Sequence, residues 1–195
     1  MNYYSTNCRT SDVTLEEAVV KGLAADKGLF MPRAISLLPA KFFREIEKLS
    51  LQEIAFEVAT AFFGEDLPSD ILRSMVDDTL NFDIPLVKVN DWIYSLELFH
   101  GPTLAFKDVG ARFMARMLGY FIRKEGVHVL VATSGDTGSA VANGFLGVEG
   151  IRVHVLYPKG KVSRIQEQQF TTLGGNVTAL EVDGCFDDCQ ALVKS

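Results

Sequence analysis

Cysteine is scarce in this sequence: Cys8, Cys185 and Cys189 are the only three among 195 residues. So low and odd a count excludes a disulfide-stapled secreted scaffold and points to a reducing compartment, the cytoplasm by default. Cys185 and Cys189 stand four apart and could share a helix face. No histidine or further cysteine stands near enough to complete a zinc set, so two small apolar residues are the simpler reading and no metal is expected. Basic residues are outnumbered, 19 Lys and Arg against 25 Asp and Glu, for a net charge of −6. That balance argues against nucleic acid, whose phosphates need clustered Lys and Arg, and against an anionic membrane surface. No apolar run approaches the ~20 residues of a membrane span. The opening "MNYYSTNCRTSDVTLEEAV" has no basic region followed by an apolar stretch, so it does not read as a secretory signal. Repeats and low-complexity segments are lacking too. What remains is 48% hydrophobic and 23% charged, the balance of a globular chain with enough apolar surface to offset its ordering entropy. The length suits one domain, or one and a part.

The chain changes character near residue 82. Before it the pattern is helical. "VTLEEAVVKGLAAD" has Thr14 in the N-cap position and Glu17 three residues on, which predicts a capping box. "DKGLFMP" breaks that helix. "PAKFFREIEKLS" and "LQEIAFEVATAFFG" predict two more, the second stopped by Gly64. "PSDILRSMVDDTL" predicts a fourth, capped by Ser69, with Ile71, Leu72, Met75 and Val76 on one face. The pairs Phe42-Phe43 and Phe62-Phe63 read as packing between these helices. After residue 82, strand and helix alternate. "PLVKV" and "WIYSLELF" look like strands, "KDVGARFMARMLGYFIRKEG" a long amphipathic helix, and "VHVLVAT", "IRVHVLYP" and "NVTALEV" strands separated by helices. Apolar strands alternating with helices predict βαβ units and a parallel sheet covered on both faces. The expected architecture is therefore α/β: an N-terminal helical domain over residues 1–82, then βαβ units over residues 83–195. The sequence stops inside an apparent helix, at Ala191, Leu192 and Val193, so a truncated chain is expected.

Two segments could carry chemistry. In "VHVLVATSGDTGSAVANGF" an apolar strand runs into Ser134, Gly135, Asp136, Thr137, Gly138 and Ser139, and a helix follows at once. Free N–H groups and the positive end of a helix dipole make such a turn an anion site, and two glycines allow close approach of the backbone. It is neither G-x-G-x-x-G nor a P-loop, and Asp136 would repel a bare phosphate. A carboxylate or a small phosphorylated substrate fits better than a nucleotide. A ligand-free connection with caps is the competing reading. The second segment is "HGPTLAFKD". Lys107 follows apolar residues at a helix start, where it meets the unfavourable end of the dipole. Both features favour the neutral amine, a nucleophile able to form a Schiff base. The plainer alternative is an ion pair with Asp108, or a side chain reaching to solvent. His100, His128 and His154 read as turn or strand residues. Lys159, Lys161 and Arg164 surround a strand-to-helix turn that could hold a phosphate or simply be solvated.

"ELFHGPTLAFKD" followed by "ATSGDTGSA" resembles the threonine synthase family of fold-type II pyridoxal-phosphate enzymes. "VTLEEAVVKGLAADKGLFMP" is similar to that family's N-terminal helical domain, which follows a tyrosine-rich strand. "LYPKGKVSRIQEQQFTTLGGNV" is similar to its next strand and helix. Other fold-type II enzymes, such as cysteine synthase and serine dehydratase, usually have Asn where Asp136 stands and lack the N-terminal domain. The resemblance implies pyridoxal 5'-phosphate as cofactor and Lys107 as its Schiff-base lysine. It implies that Ser134–Ser139 bind the substrate α-carboxylate, with Asp136 and Thr137 beside the cofactor ring. The implied lyase reaction turns O-phospho-L-homoserine and water into L-threonine and phosphate, the last step of threonine biosynthesis. Lys159, Lys161 or Arg164 would hold the substrate phosphate. Family members are much longer, so the fold is expected to be incomplete and the chain inactive without the C-terminal part of its catalytic domain. A dehydratase-like lyase and a non-catalytic phosphate-ligand binder are the alternatives.

Overall fold

The computed structural model describes residues 1–122 and 126–194. The chain divides into two compact units, Met1–Asn81 and Phe82–Ser195.

In the first unit, β1 (Tyr3–Ser5) pairs antiparallel with β2 (Phe30–Pro32). Four helices follow the sequence periodicity: α1 (Leu15–Lys21), α2 (Ala40–Glu45, continued by a 3-10 turn over Ile46–Lys48), α3 (Leu51–Phe63) and α4 (Ser69–Thr79). Their buried residues include Leu15, Phe42, Ala59, Leu72, Met75 and Val76, and α3 packs against α4. The caps differ in part from expectation. Thr14 does accept the Glu17 N–H, but the Glu17 carboxylate turns forward to Lys21 instead of back to the cap. The reciprocal capping box lies at Ser50 and Glu53. Ser69 is the first helical residue and Pro68 the cap, with no side-chain bond. Gly64 keeps helical dihedrals, φ −65 and ψ −17, so a left-handed stop is not what it provides. Phe42 is buried but Phe43 is exposed, the two rings meeting edge to face at 5.2 Å.

In the second unit, β3 (Leu86–Lys88) and β4 (Tyr94–Leu96) form an antiparallel hairpin apart from the parallel sheet. Their connection is too short for the crossover that parallel pairing needs, and Asn90 closes it by accepting the N–H groups of Trp92 and Ile93. α5 (Asp108–Phe121) follows; the expected continuation of this helix through residues 123–125 lies outside the described residues. Then β5 (Val127–Ala132), α6 (Asp136–Phe145), β6 (Ile151–Pro158), α7 (Arg164–Thr171), β7 (Val177–Val182) and α8 (Phe186–Lys194) alternate. The three strands form a parallel sheet in the order β5-β6-β7. Period-two alternation puts Val153 and Val155 on one face, fully buried, as is Phe145 of α6, which packs on β6. Asn176 locks the layers, donating to the carbonyls of Phe145 and Ile151 and accepting the Gly147 N–H. Among the described residues no helix is long and apolar enough to cross a membrane, and no group of three His, Cys, Asp or Glu could hold a metal.

Candidate active site

The carboxyl end of β5 becomes the amino end of α6 within three residues, and Thr133 makes the turn tight. Its side chain is buried, and Oγ1 accepts the N–H groups of Gly135 at 2.9 Å and Gly138 at 2.8 Å. A Cβ on Gly138 would lie 2.4 Å from Thr133 Cγ2, so only glycine fits. Gly135 has φ +148, and a Cβ there would meet the Gln166 side-chain amide at 2.6 Å. Both glycines thus admit protein neighbours. Ser139 is wholly buried and donates its hydroxyl to the carbonyls of Gly135 and Gln166. Ser134 and Asp136 are exposed and Thr137 half-buried. The N–H groups of Asp136 and Thr137, the first two helical residues, have no intrahelical acceptor. Of the six residues expected at this turn, Ser134, Asp136 and Thr137 present polar groups outward, and Gly135, Gly138 and Ser139 shape the turn from within.

Lys107 is the N-cap of α5 and is half-buried. Its Nζ lies 5.3 Å from the centre of the Phe106 ring. The simplest fate for its charge, a pair with Asp108, is not what forms. Asp108 is buried, with Oδ2 accepting the Thr103 N–H at 2.9 Å and Oδ1 accepting the Thr103 hydroxyl at 2.5 Å. Among the described residues no carboxylate lies within ion-pairing distance of Lys107. His100 is exposed and bonds Glu97 at 2.8 Å, beside the Phe99 ring.

α7 joins the two segments. Gln166 donates to Asp136 Oδ1, and Gln169, one turn on, donates to the Thr103 carbonyl at 3.1 Å. Neither glutamine stands out in the sequence, since both partners are remote along the chain. The Ser163 cap fixes the Gln166 amide by donating to its Oε1 at 2.7 Å. Lys159, Lys161 and Arg164 lie in the turn between β6 and α7, at the same carboxyl edge of the sheet as the β5 turn, where ligands bind in open α/β sheets. All three are exposed, and among the described residues none forms an ion pair. His128 Nδ1 and His154 Nε2 meet at 2.8 Å on neighbouring strands, away from this edge. A cleft of about 810 Å³ reaching Arg152, His154 and Thr178 opens at the opposite, amino edge and includes none of the expected site residues.

Family models match the whole of this arrangement in two parts: residues 2–80 match the threonine synthase N terminus, and residues 81–195 match the pyridoxal-phosphate dependent enzymes. Among curated relatives, threonine synthase of Haemophilus influenzae is 48% identical over all of this chain, and that of Escherichia coli 43%. Each match covers 45% of the relative, so the chain spans less than half the length of these proteins. Among solved structures, threonine synthase from Escherichia coli superposes over the whole chain with a TM-score of 0.90 at 43% identity, covering 45% of that chain. A PLP-bound threonine synthase from Brucella melitensis superposes with a TM-score of 0.92 at 39% identity, again over all of this chain and 44% of its own.

Proposed function

The chain belongs to the pyridoxal-phosphate dependent enzyme family, and from that premise we propose that it supplies the cofactor lysine and the substrate turn of a threonine synthase. The reaction is the conversion of O-phospho-L-homoserine and water to L-threonine and phosphate. One observation carries this reading: α7 hydrogen-bonds both the Lys107 segment and the Asp136 turn, and three exposed cations stand at its own start.

The residues present suit the cofactor. Lys107 offers a primary amine with no ion-pair partner among the described residues, and it would hold pyridoxal phosphate. When bound, that group withdraws electrons from the carbon skeleton of an amino-acid substrate. The chain's own residues do the rest. Lys107 Nζ, as a free amine during turnover, takes the proton from the substrate α-carbon and moves a proton at the β-carbon. The outward N–H groups and hydroxyls of Ser134 and Thr137, with the N–H of Asp136, bind the α-carboxylate. Gln166 occupies the Asp136 carboxylate, which lessens its repulsion of that anion. Asp136 and Thr137 would contact the cofactor when it is bound. Lys159, Lys161 and Arg164 hold the substrate phosphate, which leaves from the γ-carbon; that carbon gains the proton lost from the β-carbon, and water then adds at the β-carbon. The part of the relatives' length that these 195 residues do not span supplies the remaining cofactor contacts, so the 195 residues alone are expected to bind pyridoxal phosphate weakly and to make no threonine. The three free cysteines suit the reducing cytoplasm, where we place the enzyme.

The test is an assay of the complete polypeptide with O-phospho-L-homoserine. Threonine and phosphate should form in equal amounts, and Lys107→Ala should abolish both. Turnover that survives Lys107→Ala, or deamination of serine without use of the phosphorylated substrate, contradicts the proposal.

A further inference from the structure

The turn that delivers Lys107 is built against local preference at two points. Leu104 adopts φ +59, a left-handed conformation that a residue with a Cβ avoids. Asp108, directly after the lysine, is 1% exposed, and no cation among the described residues pairs with it. A connection that had only to join β4 to α5 would need neither. Strained backbone and a buried charge persist where the surroundings over-determine them, and such places concentrate at functional sites.

Here the surroundings converge on Thr103. Asp108 accepts both its N–H and its hydroxyl, and Gln169 of α7 donates to its carbonyl. All three polar atoms of Thr103 are therefore held. Gly101 makes the fit possible, since a Cβ there would lie 2.6 Å from Asp108 Oδ2. Lys107 lies between Leu104 and Asp108, so its backbone is fixed on both sides, while its side chain forms no ion pair among the described residues.

Resting on the reading of Lys107 given above, we propose that Asp108, Thr103 and Gln169 form a positioning clasp for Lys107. The clasp sets the direction of the amine and draws the neighbouring carboxylate away from it. None of the three touches substrate; each acts through the turn. Gln169 also ties the lysine to the helix whose Gln166 holds the substrate turn, so displacement of α7 is felt at both places.

The variants are Thr103→Val, which removes the hydroxyl alone, Thr103→Ser, which restores it, and Gln169→Ala. Asp108→Ala leaves a buried N–H without an acceptor and is the variant expected to fold poorly; the other three keep the proposal testable. Each complete polypeptide is assayed for kcat and KM. Each is also incubated with pyridoxal phosphate and borohydride, and the rate of pyridoxyl fixation on Lys107 is followed by peptide mass. Amide exchange at residues 103–108 is measured in cofactor-free protein. Thr103→Val and Gln169→Ala should lower kcat by on the order of 10- to 100-fold, the penalty of a displaced catalytic group, with KM unchanged. Both should slow fixation on Lys107 and speed exchange across the turn, and Thr103→Ser should restore all three. Folded Thr103→Val and Gln169→Ala proteins with wild-type kcat and fixation rate overturn the clasp alone. Absence of fixation on Lys107 in the wild type overturns both the clasp and the function proposed above.

Discussion

Lys107 and Asp108 are neighbours in sequence but not partners in the fold. Asp108 gives both carboxylate oxygens to Thr103, so adjacency in sequence does not become an ion pair. Gln166 acts comparably at the turn we propose for the substrate, by donating to Asp136. Replacing Gln166 with Ala exposes the Asp136 charge to the incoming carboxylate and removes a charge-assisted hydrogen bond. KM for O-phospho-L-homoserine should then rise by roughly tenfold, the equivalent of ~1.4 kcal/mol, while kcat changes little. Steady-state kinetics of the complete polypeptide check this, and an unchanged KM would remove Gln166 from the site. The positions of Lys107 at a helix start and of Ser134, Asp136 and Thr137 between a strand and a helix are legible in the sequence because their signal is local, and they are the residues we propose for the site. Gln166 and Gln169 are not, because they act on partners 30 and 66 positions away. A local pattern does not show the direction of a hydroxyl: that of Ser139 donates inward, to the carbonyls of Gly135 and Gln166.

Elements follow periodicity more faithfully than their ends do. Each expected helix forms, because an apolar stripe of period 3.6 survives small errors of register. Caps depend on which side chain wins a single N–H, and there the outcome shifts by a residue or moves to another helix. This yields a paired prediction. Ser50→Ala removes the reciprocal box of α3 and should destabilise the first unit by about 1 kcal/mol. Ser69→Ala, one position inside α4 and without a capping bond, should be close to neutral. Denaturant midpoints measure both; equal losses would contradict the assignment. β3 and β4 teach a related lesson. Their composition predicts strands, but only the length of the link between them shows that they pair with each other and stay out of the parallel sheet. Against that sheet, Phe145 of α6 is one of two fully buried phenylalanines, with Phe170, so Phe145→Ala should cost about 3–5 kcal/mol, seen as a lower midpoint for the second unit.

The whole molecule carries an acid sensitivity concentrated in its first unit. The Arg33 guanidinium holds Asp12 below its ordinary 3.8, the Ser5 hydroxyl holds Asp26 below the same value, and the Ser50 N–H holds Glu53 below 4.5. In the second unit the Cys185 N–H does the same for Asp188. Each folded value lies under the unfolded one, so each contribution is complete above about pH 4 to 5 and is lost as pH falls through the folded value. The Asp66 side chain raises the Met1 amino group above 8.0, and that contribution fades as pH rises through the raised value. The first unit should therefore lose stability before the second as pH drops below about 4. Asp26→Asn should lower its midpoint at pH 7 and narrow its difference from wild type on acidification. Midpoints measured across the acid range test this; a difference that stays constant with pH would contradict it.

We propose that these 195 residues carry the lysine of a threonine-forming enzyme. The most direct measurement is the position of the label after borohydride reduction of the complete polypeptide with pyridoxal phosphate. A single pyridoxyl group on Lys107, lost in Lys107→Ala and diminished by added O-phospho-L-homoserine, is the result predicted. A label on another lysine, or none at all in folded protein, would contradict the account.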